Sequence, residues 1–194
     1  HAIQMFAHFD FDQMFNTKDL TYKLNSFHGK NILIKEIRKV SKNAHARFDA
    51  TLREYKYHIT TIKDVFNIDT KFYFPKKLDF NEIDRAIGVI KKNKNFKSFC
   101  RTKTDVTNFE CIIHDFKYEI TDSELIFTIS ANRFLRNMVR SIIGTILEIG
   151  QFKISNDDLK DIINKSDRIY AGPSVPAHGL YLSKVKYPKE IFIQ

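Results

Sequence analysis

At 194 residues, 43% hydrophobic and 13% aromatic, the chain is long and apolar enough to bury a core as one domain or two closely packed halves, which excludes a disordered tail. Its 32 Lys and Arg against 23 Asp and Glu leave a net charge of +9 spread along the chain, a balance suited to a polyanionic partner such as nucleic acid. Two cysteines without Cys-x-x-Cys spacing and seven unclustered histidines argue against a structural zinc or a disulfide framework, and no apolar run approaches the roughly 18 residues of a membrane span. No secretory leader is visible, so a reducing cytoplasm is the expected location.

In chain order, residues 3–9 read as a strand, 17–27 as a short helix and 32–40 as a second strand. The longest strand candidate follows at residues 45–59. Between Asp79 and Lys92, Ile83, Ala86, Ile87 and Ile90 recur at helical spacing. Residues 107–120 and 124–131 read as a hairpin around Thr121-Asp122-Ser123. Residues 131–150 read as one helix, and Ser155 before Asp158 as the capping box of another that runs to Lys165. A Pro-containing loop over 171–179 leads to a closing strand at 180–187. Strands outnumber helices and short turns join them, which predicts an α+β fold: an antiparallel or mixed sheet flanked by helices, with one face open for a ligand.

Two segments carry chemistry. In the 131–150 helix, Phe134, Met138, Ile142 and Ile146 form one apolar row and Leu135, Val139, Ile143 and Leu147 the next, a stripe wide enough to face a core. At about 100° per residue, Arg133, Arg136 and Arg140 fall opposite, among Asn137, Ser141 and Gly144, whose short side chains leave room for a ligand. A guanidinium fork binds carboxylate or phosphate in bidentate geometry, although a solvated helix back reads equally well from pattern alone. In the strand from His45 to Ile59, parity puts Arg47, Asp49, Thr51, Arg53, Tyr55 and Tyr57 on one face. Such a cationic and aromatic platform can stack a base and meet its phosphate, whereas on pattern alone cross-strand Tyr packing with surface ion pairs is the simpler reading.

Four blocks then occur in order. They are His45-Ala46-Arg47-Phe48-Asp49-Ala50 with Arg53-x-Tyr55-x-Tyr57; Phe96-x-Ser98-Phe99; Asn132-x-Phe134-Leu135-Arg136-x-Met138-Val139-Arg140-x-Ile142-x-Gly144; and Ala171-Gly172 through Pro176-Ala177 to Gly179-Leu180-Tyr181-Leu182. Singly each is weakly specific. Together, in this order and spanning His1 to Pro188, they resemble the tRNA pseudouridine synthase A family, which isomerises uridine to pseudouridine in the anticodon arm of tRNA. The resemblance implies the pseudouridine synthase fold, with residues 1–194 forming a catalytic domain that lacks its N-terminal part. It implies that Tyr55 stacks on the target uracil and assists proton removal, that Arg140 pairs with the nucleophilic Asp, and that Leu180 grips the flipped base from the other side. Arg47, Arg53 and Arg136 become substrate-binding candidates. The implied partners are the tRNA anticodon stem-loop and a second copy of the chain as a homodimer, with no membrane, no metal and no cofactor.

The family's nucleophile is the Asp of an Arg-Thr-Asp-x-Gly-Val-His-Ala loop, and His1-Ala2 match the last two residues of that motif. The Asp is therefore expected upstream of His1, and these 194 residues alone are expected to be inactive. Neither Asp10 nor Asp12 sits in the motif. Lys92-Asn93-Lys94-Asn95-Phe96 is more basic than the family's usual loop. Two other classes remain open: a non-catalytic basic RNA-binding module, and a membrane-surface role for the 131–150 helix, whose apolar stripe is more simply a core face.

Overall fold

The computed structural model describes residues 1–193. The chain divides into two compact units, one of His1–Met5 with Thr51–Lys186, the other of Phe6–Ala50 with the segment from Tyr187 onward.

The larger unit is built on a five-stranded mixed sheet. Strand β1 (Leu52–Thr60) runs antiparallel to β4 (Glu124–Ala131) on one side, and β4 pairs in turn with β3 (Ile113–Ile120). On its other side β1 meets the antiparallel β5 (Leu180–Lys186) along Leu52–Tyr57 and the short parallel β2 (Phe72–Tyr73) at Ile59–Thr60. Register places Tyr55 opposite Ile129, Tyr57 opposite Phe127 and Ile59 opposite Leu125. Cross-strand partners share a face, so all six side chains point the same way, into the core.

Helices cover that face. Helix α2 (Phe80–Lys92) starts where the Asp79 side chain accepts from the Glu82 backbone N–H at 3.0 Å, and it buries Ile83, Ala86, Ile87 and Ile90. Helix α3 (Met138–Gly150) buries Met138, Ile142 and Ile146 on one row and Val139, Ile143 and Leu147 on the next. Helix α4 (Asn156–Lys165) shows both halves of the Ser155–Asp158 capping box and buries Leu159 and Ile162. Helices α2 and α4 form where spacing and the capping box predict them.

Five segments depart from expectation. The long strand begins at Leu52 instead of residue 45, because residues 45–49 close on themselves: Asp49 accepts from the His45 N–H at 2.7 Å, and His45 Nδ1 accepts from the Arg47 N–H at 3.0 Å. Those local bonds displace the ladder. The helix expected from 131 begins at Met138. Ala131 closes β4, and Asn132–Asn137 form a turn in which Asn132 Oδ1 accepts from the Arg133 and Ile112 N–H groups and Asn137 adopts a left-handed φ of 69°. The hairpin turns as expected at Thr121-Asp122-Ser123, with the Thr121 N–H donating to Glu124 O at 2.9 Å, but β3 starts at Ile113, not 107. Finally, 3–9 and 32–40 are not strands.

In the smaller unit, α1 (Thr17–His28) forms as expected, with Asn16 capping Lys18 and Asp19. The Asn25 side chain takes both backbone groups of Ile34, at 2.7 and 2.9 Å, and at the far end of 32–40 Val40 pairs with Phe192 in an isolated antiparallel bridge. Phe6, Tyr187 and Phe192 pack edge-on in sequence. Among the described residues no helix is long and apolar enough to cross a membrane.

Candidate active site

A cleft of about 330 Å³ opens in the larger unit where the N-terminus of α3 approaches β1 and β5. Tyr55 forms one wall. It projects from the first half of β1, before the same face becomes fully buried at Tyr57, and its ring meets Phe134 edge-on at 5.2 Å. Burial raises the Tyr55 phenol pKa despite the nearby Arg53 charge, so the hydroxyl is neutral at physiological pH. Leu180, the first residue of β5, and Ala177 supply the apolar side.

Three arginines converge on the same space. Arg140, in the first turn of α3, donates from Nε to Val175 O at 2.6 Å, while its own carbonyl accepts from the Val175 N–H at 3.2 Å. The Nη fork has no hydrogen-bond partner among the described residues, so it is available to a bidentate anion. Arg136 lies in the turn before α3. Arg101 is brought beside it by a backbone bond from the Arg101 N–H to Arg136 O at 2.9 Å. Asn137 also reaches the cleft, and its amide donates to Ser174 Oγ at 2.6 Å, which in turn accepts from Arg168 at 3.0 Å. His1 completes the lining; its nitrogen donates to Leu180 O at 3.2 Å. None of these lining residues carries a carboxylate.

The structure thus gathers four of the sequence candidates, Tyr55, Leu180, Arg136 and Arg140, around one space. It does not bring Arg47 or Arg53 into that lining. Arg53 reaches across to Asn132 O at 3.1 Å, and Arg47 lies in the smaller unit with its guanidinium 5.5 Å from the Phe48 ring centroid. Arg133 is likewise absent from the lining.

Two pattern readings need correction. The face of β1 bearing Arg53, Tyr55 and Tyr57 is no open platform, since Tyr57 is 1% exposed and its hydroxyl donates to Pro176 O at 2.7 Å. Parity assigned the face correctly, but Ile59 continues it into the core. Nor does the small stripe of α3 admit a ligand. Ser141 and Gly144 are buried, and a Cβ on Gly144 would lie 1.7 Å from Pro173 O, so residues 171–175 fill that room themselves.

Arg101 was not foreseen. It follows the Phe96-x-Ser98-Phe99 block without any periodicity, and only the backbone bond to Arg136 reveals its place. Taken together, the cleft offers an aromatic ring, an apolar wall and a guanidinium cluster, a set able to stack a planar base while neutralising phosphate or orienting a carboxylate.

Comparison with known proteins matches residues 93–188 to the family model described as tRNA pseudouridine synthase. The tRNA pseudouridine synthase A of Parabacteroides distasonis is 43% identical over 195 residues, covering 99% of this chain and 77% of that protein. That of Bacteroides fragilis is 42% identical with the same coverage, and tRNA pseudouridine synthase A 1 of Bacillus cereus is 35% identical over 189 residues, covering 96% of this chain and 76% of its own length. The chain belongs to the tRNA pseudouridine synthase A family, whose members isomerise uridine in tRNA.

Proposed function

We propose that the cleft of Tyr55, Arg140 and Leu180 is where this protein isomerises uridine to pseudouridine in the anticodon stem-loop of tRNA, working in the cytoplasm as a homodimer. The observation that carries the reading is the convergence of those three side chains, drawn from three separate sequence blocks, on one space. Tyr55 stacks on the extruded uracil and Leu180 closes on its other side, a grip suited to a base taken out of its helix. Arg101 and Arg136 neutralise the flanking phosphates.

The nucleophile in this reading is the Asp of the Arg-Thr-Asp-x-Gly-Val-His-Ala segment that His1-Ala2 complete. His1 lies at the cleft, so a carboxylate carried a few residues before it can reach Arg140. A bidentate guanidinium holds such a carboxylate ionised and nucleophilic. The N-glycosidic bond breaks, the uracil turns within the site, and the ring rejoins the ribose through carbon. No cofactor is called for.

The alternative reading is a binding module without chemistry. Tritium release from tRNA labelled at C5 of uridine separates the two. The protein bearing the Asp segment releases label and residues 1–194 alone do not. Robust turnover by residues 1–194 alone would overturn the assignment of the nucleophile, and no turnover by the longer protein would leave only the binding module.

A further inference from the structure

A second cleft, of about 420 Å³, lies at the opposite end of α3, where the helix gives way to the segment leading into α4 and where the approach to α2 begins. Lys76, Lys77 and Lys153 line it together with Phe152. All three lysines are exposed, and none has an ion-pair partner among the described residues. The one carboxylate in the lining, Asp79, is turned to the Glu82 N–H at 3.0 Å as the cap of α2. Three ammonium groups therefore face a single, already engaged carboxylate.

Phe152 is the unusual member. Helix α3 ends in a Schellman motif: the Lys153 N–H donates to Glu148 O at 3.0 Å and the Phe152 N–H to Ile149 O at 2.9 Å. The residue after the cap in that motif is left-handed, and glycine is the side chain it favours. Here it is Phe152, with φ 59° and 72% exposed. A bulky side chain held in that conformation and left in water contributes nothing to the core. The Asp79 N–H donates to Gly150 O at 2.8 Å and ties the end of α3 to the start of α2.

We infer that this cleft is a second RNA-binding site, in which Phe152 stacks on a base while Lys76, Lys77 and Lys153 hold the adjoining phosphates of the tRNA, outside the catalytic cleft. An exposed ring set among flexible point charges is the combination that grips a nucleic-acid strand without reading its sequence. This inference rests on tRNA being the substrate, so its test must fail separately from that reading.

The 194 residues contain no Trp. The indole introduced by Phe152→Trp in the full-length protein, read against the parent, therefore reports on this cleft. It is expected to be quenched by an unmodified tRNA transcript, and the quench to vanish with Lys76→Gln, Lys77→Gln and Lys153→Gln together. Those three substitutions should also flatten the slope of log affinity against log salt by about 0.7–0.9 per lost contact. Phe152→Gly relieves the left-handed strain, so it should keep or raise the melting temperature while weakening tRNA binding by about five-fold or more. Tight tRNA binding without a quench, or an unchanged affinity and salt slope in these variants, would overturn the second site alone. An equal quench by polyglutamate would replace RNA with an acidic protein partner. A parent protein that binds no tRNA would overturn both readings.

Discussion

Replacing Gly144 by Ala sets two effects of opposite sign against each other. Ala is favoured over Gly in a helix interior by about 1 kcal/mol, and on that ground alone Gly144→Ala stabilises α3. The structure opposes it. The new Cβ would stand 1.7 Å from Pro173 O and 2.9 Å from its carbonyl carbon, both backbone atoms that no rotamer change can move. To restore the 3.4 Å of ordinary contact, Pro173 O must retreat by about 1.7 Å, and residues 174–175 move with it. That displacement breaks the bond from Arg140 Nε to Val175 O, now 2.6 Å, and strains those from the Val175 N–H to Arg140 O and from Asn137 to Ser174. Losing the charge-assisted bond alone costs about 1.5–3 kcal/mol, so after the helical gain a net loss of about 0.5–2 kcal/mol remains. Urea denaturation measures it. Because Arg140 loses its anchor, single-turnover rate should fall in the same variant. Unchanged or increased stability with an unchanged rate would refute the idea that the 171–175 loop positions Arg140.

Other outcomes follow from the same geometry. Tyr55→Phe should keep tRNA affinity and slow chemistry, whereas Tyr55→Ala should also lose stacking, about 1–3 kcal/mol by filter binding. Burial holds the His58 imidazole pKa below its ordinary value, outweighing the pull of Glu124, so the unfolded chain takes up a proton before the folded one does. Stability contributed by neutral His58 is thus full above about pH 6.5 and falls as pH drops through that value, and His58→Gln should flatten the fall in a pH series of melts. Ser155→Ala removes the oxygen that caps the Asp158 N–H, and should destabilise by about 1 kcal/mol in thermal melts.

How legible the fold was depended on whether a segment's partners lie nearby in sequence. Helices α2 and α4 could be located from Ile83, Ala86, Ile87, Ile90 and the Ser155–Asp158 box because spacing and capping are local. The start of α3 could not. Its apolar rows extend smoothly back to Phe134 and Leu135, and only the left-handed Asn137 and the bonds of Asn132 to Ile112 and Arg133 show that the chain turns there first. Residues 3–9 and 32–40 have strand-like composition, but composition does not supply a neighbouring strand, and Asn25 satisfies Ile34 instead. At the cleft, Tyr55, Arg136, Arg140 and Leu180 could be picked out by motif, whereas Arg101, through its bond to Arg136, and the support of Asn137 by Ser174 depend on contacts across 35 residues or more.

The most direct test of the account concerns Arg140 in the protein bearing the Asp segment, through single-turnover rates at saturating enzyme and tRNA affinities for Arg140→Ala and Arg140→Lys. If the free guanidinium fork orients the nucleophilic carboxylate, Arg140→Ala cuts the chemical step far more than it cuts affinity, and Arg140→Lys, which keeps the charge but loses the fork, restores the rate only in part. A loss of affinity with the single-turnover rate intact would make Arg140 a phosphate contact and contradict its pairing with the nucleophile.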